Sequence, residues 1–443
     1  MDKQSIIESV ERNRELAYEA EKFLWAHPEC GYKERISSDY LRGEFEKLGY
    51  TVTEADGITG FYTALDTKRE GPTLLILAEL DSIICAGHPE ADKTTGAVHS
   101  CGHHAQGAAL LAVAAALKED GMLDGLAGRI KLCLVPAEEL LEIGYRTELK
   151  KKGVIKYLSG KSEFLRRGYF DDVDLAFMVH ISPEFTSLLG SVGCLVKTVV
   201  YKGRAAHAGG SPHTGINALY AATQGIGAVN AIRETFKEAD VIRFHPIITE
   251  GGQMVNAIPE RAVIETYVRG LTTEAIADNN SRINRALIGA ALSLGANIDI
   301  IDQPGYAPLK NDPGMLNMAK DAYELVTGEE LVISQTYSSG STDMGDLSTF
   351  MPVVHPYAAG QSGTSHGGDY KIADKEAALI TNAKWQLMMI DLLLGNSAER
   401  AKRIVADFKG VFASKEEFLA YQDSLDRSGE RIEYFDTGAK VDL

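Results

Sequence analysis

Short apolar runs of the β type alternate with longer runs of helical spacing along the first part of the chain. In the first fifty residues the spacing is helical, with Leu41, Phe45 and Leu48 on one face and Gly49 as a C-terminal cap. Beyond them, the pattern predicts a helix over 104–118 and strands over 73–80, 130–136 and 174–181. Such alternation is typical of an α/β layer with a mixed, mostly parallel sheet.

The pattern changes near residue 190 and resumes near residue 305. The intervening stretch predicts a self-contained α+β sandwich, with helices over 216–236 and 272–294 and strands over 192–202, 241–248, 262–270 and 298–302. The alternation then returns, with helices over 315–326 and 375–394 and strands over 331–335 and 352–357. We therefore predict an α/β domain at 1–189 and 305–400, an inserted α+β domain at 190–304, and a mostly helical appendage at 401–443.

Composition and charge narrow the classes of partner. The 443 residues are 45% hydrophobic and 24% charged, the balance of an ordinary water-soluble protein. The net charge of −17 argues against nucleic acid or an anionic membrane as a partner. No apolar run has the length of a membrane span, and the first residues lack a signal-peptide pattern. With five scattered cysteines, these features predict a reducing, cytoplasmic location.

Residues 98–104 concentrate three histidines and one cysteine where a predicted helix begins. They follow a predicted strand that ends in the acids Glu79 and Asp81. Imidazole, thiolate and carboxylate groups together suit a borderline-soft divalent metal. For Cys101 and His103 the alternative interpretation is a buried structural cysteine beside a hydrogen-bonded histidine.

Two further predicted strands end in groups that can bind a metal. One runs into Glu138 and Glu139, and another ends at His180. Adjacent carboxylates are costly unless a cation compensates, and one can bind a metal while the other acts as a general base. A solvated acidic turn and a structural histidine are the alternatives. Three such strand ends at one sheet edge favour a metal site.

Four residues in glycine-rich or strand-end positions are further candidates. His366 lies in the loop 363–368, and His207 is flanked by small residues in 203–209. Asn256 lies in the segment 251–259, and Arg269 follows a strand pattern. A turn is the alternative for each, above all for Asn256, because Gly, Asn and Pro mark turns.

These motifs, in this order over about residues 1–400, resemble the dinuclear-metal aminoacylase and carboxypeptidase family. The Cys-Gly-His triplet is similar to that of the branch acting on N-acylated amino acids, and the resemblance leans toward p-aminobenzoyl-glutamate hydrolase relatives. It implies hydrolysis of the amide bond of an N-acyl amino acid or small peptide. It also implies two divalent ions, zinc or manganese, and a homodimer formed through a lid domain at 190–304.

The resemblance also implies a role for each candidate residue. The implied metal ligands are Cys101, His103, Glu139, His180 and His366. Glu138 would be the general base, and Asp81 would orient a metal-bound histidine. From the lid, His207 and Asn256 would reach over an active site, commonly that of the partner subunit, and stabilise the oxyanion. Arg269, or Asn256, would bind the substrate carboxylate, a role that suits a guanidinium.

Two departures from the family pattern leave the metal environment open. His104 follows the triplet where many relatives have Asp or Asn, and Glu79 stands where other branches have a histidine. Two other hypotheses are weaker. In one, Cys101 is a nucleophile, which leaves the distant histidines and the glutamate pair without a role. In the other, the chain is a non-catalytic subunit or binding protein, which would not need Glu138.

Overall fold

The computed structural model describes residues 3–443, which form two compact units. The first unit runs to Gly190 and also includes Leu309–Ser338 and Thr342–Lys415. The second unit comprises Ser191–Pro308, Ser339–Ser341 and Glu416–Leu443. The insertion of the second unit between parts of the first has limits at 190 and 309, near those predicted from the hydrophobic pattern.

A mixed six-stranded sheet forms the centre of the first unit. In spatial order its strands are Thr53–Glu54, Phe61–Asp66, Arg129–Val135, Thr73–Glu79, Leu175–Phe177 and Val353–Val354. The first two are antiparallel to their neighbours, and the last four run parallel to one another. Every residue of Thr73–Glu79 is buried, because parallel strands are covered on both faces. The predicted α/β class with a mostly parallel sheet is confirmed.

The helices of the first unit pack around this sheet. They are Lys3–Arg12, Arg14–Trp25, Arg35–Lys47, His103–Leu117, Ile143–Lys151, Gly160–Arg166, Pro313–Thr327, Met344–Ser348, Asn382–Leu394 and Glu399–Asp407, with a π-helical turn at Glu376–Thr381. Helix His103–Leu117 is buried along its whole length and contacts both the central sheet and neighbouring helices, which explains its lack of a polar face. None of the helices within residues 3–443 combines the length and apolar character needed to cross a bilayer.

Smaller sheets of the first unit surround the ends of the central strands. One contains Leu309–Lys310, Thr186–Ser191, Tyr357–Ala358 and His180–Ile181, with Val332–Ser338 paired to Thr186–Ser191. Two hairpin-like pairs complete the unit: Ile83–Ile84 with Ala97–Val98, and Gln361–Ser362 with Lys371–Ile372. The single strand predicted over 174–181 is therefore two short strands in different sheets, and His180 begins the second of them.

The second unit is a two-layer α+β structure. Its antiparallel sheet has the order Arg243–Phe244, Arg261–Gly270, Gly193–Lys202, Asn297–Tyr306 and Arg427–Glu430, with Ile247–Glu250 also paired to Arg261–Gly270. Helices Ala218–Ile232 and Thr273–Ser293 pack on one face through a shared apolar core. A short pair, Ala206–His207 with Ala257–Ile258, projects from the sheet's loops. This is the α+β sandwich expected from the sequence.

The C-terminal segment differs from the helical appendage predicted for 401–443. Helices cover only Glu399–Asp407 and Lys415–Leu425, and three strands follow: Arg427–Glu430, Ile432–Phe435 and Gly438–Val441. The first strand extends the sheet of the second unit, and Ile432 is buried in that unit's core. The strands are short, charged edge elements, so they lack the alternating apolar signal that identifies a strand in a sequence.

Candidate metal centre

The carboxyl ends of three parallel strands bring the candidate ligands of the first unit together. Glu138 and Glu139 follow Arg129–Val135, and Cys101 and His103 flank Gly102, whose φ of +97° opens helix His103–Leu117. The potential ligand atoms lie within 4.8 Å of one another in overlapping groups: Cys101 with His103 and His180, Cys101 with Glu139 and His366, and His103 with Glu138 and Glu139. All five predicted ligands and the predicted base thus surround one point.

Three contacts define the geometry of this cluster. Cys101 Sγ lies 3.5 Å from His180 Nε2, and His366 Nε2 lies 3.0 Å from Glu139 Oε1. His103 Nε2 is buried without a hydrogen bond from the described residues, although Glu79 Oε2 is 3.1 Å away. One thiol, three imidazoles and a carboxylate form a donor set that fits zinc or manganese. The residues therefore fit a divalent metal.

Asp81 connects the histidine and the carboxylate of the cluster. Both its carbonyl oxygen, at 2.8 Å, and its Oδ1, at 3.2 Å, face His103 Nδ1. Its Oδ2 accepts the backbone N–H of Glu139 at 2.8 Å. With Nδ1 as the donor, Nε2 of His103 is left as the ring's lone-pair nitrogen, the arrangement usual for metal-binding histidines.

The turn that carries Glu138 and Glu139 is strained and held by buried side chains. Ala137 has a φ of +57°, a left-handed conformation that costs about 1–2 kcal/mol for a residue with a Cβ. Its N–H donates to Glu34 Oε1 at 2.8 Å, and its carbonyl accepts from Arg146 Nη1 at 3.3 Å. Arg146 also donates to the carbonyls of Leu158 and Glu139. These bonds fix the direction in which the two glutamates leave the strand.

The two adjacent glutamates differ in proton affinity. Burial, reinforced by the charges of Glu79 and Glu139, raises the pKa of Glu138 well above its ordinary value. Burial also acts to raise the pKa of Glu139, but the hydrogen bond from His366 outweighs it and lowers that pKa to about 2. One carboxyl group is thus suited to hold a proton while its neighbour stays ionised, the usual division between a base and a ligand.

A buried charge network beneath the cluster was missed at the sequence level. Lys161 Nζ lies 2.6 Å from Glu79 Oε1 and is also paired with Asp343, and all three side chains are inaccessible to solvent. Burial alone would raise the pKa of Glu79, yet the Lys161 and His103 charges hold it well below its ordinary range. The available signal was Glu79 itself, because a carboxylate at the end of a buried strand requires a cation partner.

His104, which replaces the Asp or Asn of many relatives, faces away from the ligand cluster. Its Nε2 lies 3.6 Å from Glu21 Oε1, and its ring lies 4.9 Å from that of Trp25. Glu21 is in turn paired with Lys375 at 2.6 Å. His104 is absent from every ligand group found among residues 3–443. It therefore packs behind the start of the helix.

The three remaining candidates belong to the second unit and are not part of this cluster. His207 Nδ1 accepts the N–H groups of Gly209 and Gly210 at 3.1 and 2.9 Å, so its exposed Nε2 carries the hydrogen. The Asn256 carbonyl accepts the N–H of Ala208 at 2.9 Å, which places Asn256 beside His207. Arg269 donates to the Ser339 carbonyl at 3.2 Å.

Comparisons with known proteins agree with this geometry. The family model of Peptidase family M20/M25/M40 matches residues 76–390. Indole-3-acetyl-aspartic acid hydrolase of Enterobacter agglomerans is 30% identical over 65% of each chain, so the match spans just under two thirds of that protein. One of the p-aminobenzoyl-glutamate hydrolase polypeptides of Escherichia coli is 29% identical over 65% of this chain and 57% of its own.

A solved structure shows the same fold. The structure of a Bacillus subtilis protein described as a dinuclear metal-binding peptidase of the M20 family superposes with a TM-score of 0.63. It covers 85% of this chain and 97% of its own, at 20% identity. The predicted resemblance to the dinuclear-metal family is confirmed.

Proposed function

The chain belongs to peptidase family M20/M25/M40, and from this premise we propose that it is a metal-dependent amidohydrolase that cleaves the amide bond of N-acyl amino acids. The observation that carries the proposal is the convergence of five ligand-type side chains on one point beside Glu138. The hydrolase names of the relatives support the reaction class, and the aspartic acid and glutamate conjugates in those names support an N-acyl amino acid substrate.

Five side chains of the first unit would hold two divalent ions, zinc or manganese: Cys101, His103, Glu139, His180 and His366. When bound, such ions polarise a substrate carbonyl and make water acidic enough to attack at neutral pH. The description of the Bacillus subtilis protein as dinuclear supports two ions. Asp81 keeps His103 and Glu139 oriented through its contacts with the ring nitrogen and the backbone N–H.

Glu138 acts as the general base and then as the general acid. Its carboxylate accepts a proton from the attacking water and donates that proton to the amine nitrogen as the C–N bond breaks, which yields a carboxylic acid and a free amino acid. Two features support this role. The side chain is buried next to the ligand cluster, and its raised pKa favours holding a proton between the two transfers.

The second unit supplies polar contacts to the substrate. His207 presents Nε2–H as a hydrogen-bond donor, which suits the negative oxygen of the tetrahedral intermediate. Asn256 lies next to His207 and supplies an amide for the same group or for the substrate carboxylate. Arg269 binds the substrate carboxylate. These roles give the second unit, as part of the same chain or of a partner subunit, the function of a lid.

We also propose that the chain forms a homodimer through the second unit. Strand Ile247–Glu250 lies at the edge of that unit's sheet and is exposed along its whole length. Ile247 is 60% exposed, and the nearby helix presents Tyr220 with 65% exposure. An exposed edge strand with apolar side chains is a favourable site for pairing with a second chain.

Substitution of Glu138 tests the proposed function. In the purified chain loaded with zinc or manganese, we expect Glu138→Gln to keep its metal content and to lower kcat on N-acyl amino acids by a factor of about 100 to 10,000. The matched control is Glu148→Gln, an exposed glutamate on helix Ile143–Lys151, which should leave kcat unchanged. Substantial turnover by Glu138→Gln would contradict the assignment. Absence of any turnover by the metal-loaded natural chain would favour a non-catalytic subunit.

A further inference from the structure

Two arginines face each other across neighbouring strands of the second unit. Arg243 and Arg269 are direct partners in the antiparallel register. The adjacent partners, Phe244 and Val268, are buried in the core under the helices. Because side chains alternate between the faces of a strand, both arginines lie on the face opposite that core.

Neither arginine has a carboxylate partner within residues 3–443. Arg269 donates to the Ser339 carbonyl and, at 3.4 Å, to Ser341 Oγ, and its guanidinium lies over the ring of Tyr267. Arg243 donates to the carbonyl of Ile242 at 3.0 Å. Like charges directly opposite each other destabilise a sheet unless an anion compensates them. The pair therefore has the electrostatics of an anion-binding site.

A concave surface with room for a small ligand lies between these side chains. The cavity measures about 220 Å³ and is lined by Arg243, His245, Tyr267, Arg269 and Ser339. It is smaller than the pockets of about 300–1,000 Å³ that hold drug-sized ligands. The size suits one amino acid, and the lining offers two guanidinium groups, an imidazole and a hydroxyl for carboxylate oxygens.

We propose that this cavity, the arginine-pair pocket, binds an amino acid with two carboxylates, so that the substrates are N-acyl conjugates of aspartate or glutamate. Arg269 takes the α-carboxylate, and Arg243 with His245 takes the side-chain carboxylate. A single carboxylate would leave one of two facing guanidinium groups uncompensated, whereas a dianion balances both charges. The inference rests on the proposed function, which it deepens by naming the class of amino acid.

The kinetic test compares N-acetyl-L-glutamate with N-acetyl-L-glutamine, which has nearly the same shape but lacks the second charge. The natural chain should prefer the glutamate conjugate, and Arg243→Gln should reduce the ratio of the two kcat/KM values by about tenfold or more, mainly through KM for glutamate. Arg285→Gln, an exposed arginine on helix Thr273–Ser293, is the matched control and should leave the ratio unchanged. An unchanged ratio in Arg243→Gln would overturn the proposal.

A binding measurement separates this proposal from the proposed function. Calorimetric titration of the same two compounds into the full-length Glu138→Gln variant should show at least tenfold tighter binding of N-acetyl-L-glutamate. Adding Arg243→Gln should remove that difference. If the natural chain hydrolyses neither compound but the binding difference appears, the hydrolase assignment fails and the arginine-pair pocket stands. Equal binding of the two compounds would overturn the pocket whatever the hydrolysis assay shows.

Discussion

Asp81 Oδ2 accepts the backbone N–H of Glu139 at 2.8 Å, although 58 residues separate the two in sequence. The same carboxylate faces His103 Nδ1 with its other oxygen. One buried acid therefore orients an imidazole and the backbone of a carboxylate that come from different strand ends. The ligand cluster depends on this link as much as on the ligands themselves.

Replacing Asp81 should weaken metal binding. In Asp81→Asn the uncharged amide cannot offer carboxylate oxygens to both His103 Nδ1 and the Glu139 N–H. We expect metal affinity to fall by a factor of about 10 to 100. Competition with a chromophoric chelator measures this change. Asp66→Asn, at the exposed end of strand Phe61–Asp66, is the control. Equal affinity in both variants would contradict the orienting role.

Arg146 should matter for stability and for turnover together. Its buried guanidinium holds the carbonyls of Ala137 and Glu139 on either side of Glu138. In Arg146→Met these buried acceptors lose their donors, so we expect a loss of about 3 kcal/mol in the free energy of unfolding and a lower kcat with KM little changed. Urea denaturation and steady-state kinetics measure the two effects. Lys151→Met, at the exposed end of the same helix, should change neither quantity.

The buried pair of Lys161 and Glu79 should show strong coupling. Lys161→Met leaves two buried carboxylates without their cation, which we expect to cost about 3–5 kcal/mol in the free energy of unfolding. Glu79→Gln in the same chain should recover part of that loss. A double-mutant cycle by urea denaturation measures the coupling. The exposed pair of Lys320 and Glu330 is the control and should couple by less than about 1 kcal/mol. A similar coupling for both pairs would contradict the account.

Glu34 predicts a pH dependence of stability. Burial, followed by the charge of Asp81, raises the pKa of Glu34 to about 8 in the folded protein, against an ordinary value near 4.5. For an acid with a raised pKa, the unfolded state loses its proton first, so the contribution of Glu34 to stability declines as pH rises from about 4.5 to 8.

Glu34→Gln removes this titration. We expect the variant to gain stability relative to the natural chain between pH 5 and pH 8.5, as measured by urea denaturation at each pH. The exposed Glu8→Gln serves as the control and should show a difference that does not vary with pH. A constant difference for Glu34→Gln as well would show that Glu34 is ionised in the folded protein throughout this range.

The positions of the ligands were predictable because they follow buried strands. Apolar runs locate Thr73–Glu79 and Arg129–Val135, and parallel strands bring their carboxyl ends to one edge, so Asp81, Glu138 and Glu139 were expected to meet. His366 lies in a loop that no periodicity locates, and only the resemblance assigned it to the cluster. Its backbone N–H donates to the carbonyl of Ser100, which the sequence does not reveal.

The supporting residues were not predictable in the same way. Arg146 and Lys161 lie on short helices whose charged composition is typical of a solvent-exposed surface, yet both side chains are buried. Their burial is explained only by the partners that the fold brings to them from other elements. The facing of Arg243 and Arg269 likewise depends on strand register, which requires the pairing of two separate segments.

The most direct test of the account is hydrolysis of N-acyl amino acids by the natural chain before and after removal of its metal. We predict that dialysis against a chelator abolishes release of the free amino acid, and that adding zinc or manganese restores it with up to two ions bound per chain. Chelator-treated protein that is free of metal and still hydrolyses these substrates at the full rate would contradict the account, and would favour Cys101 as a nucleophile.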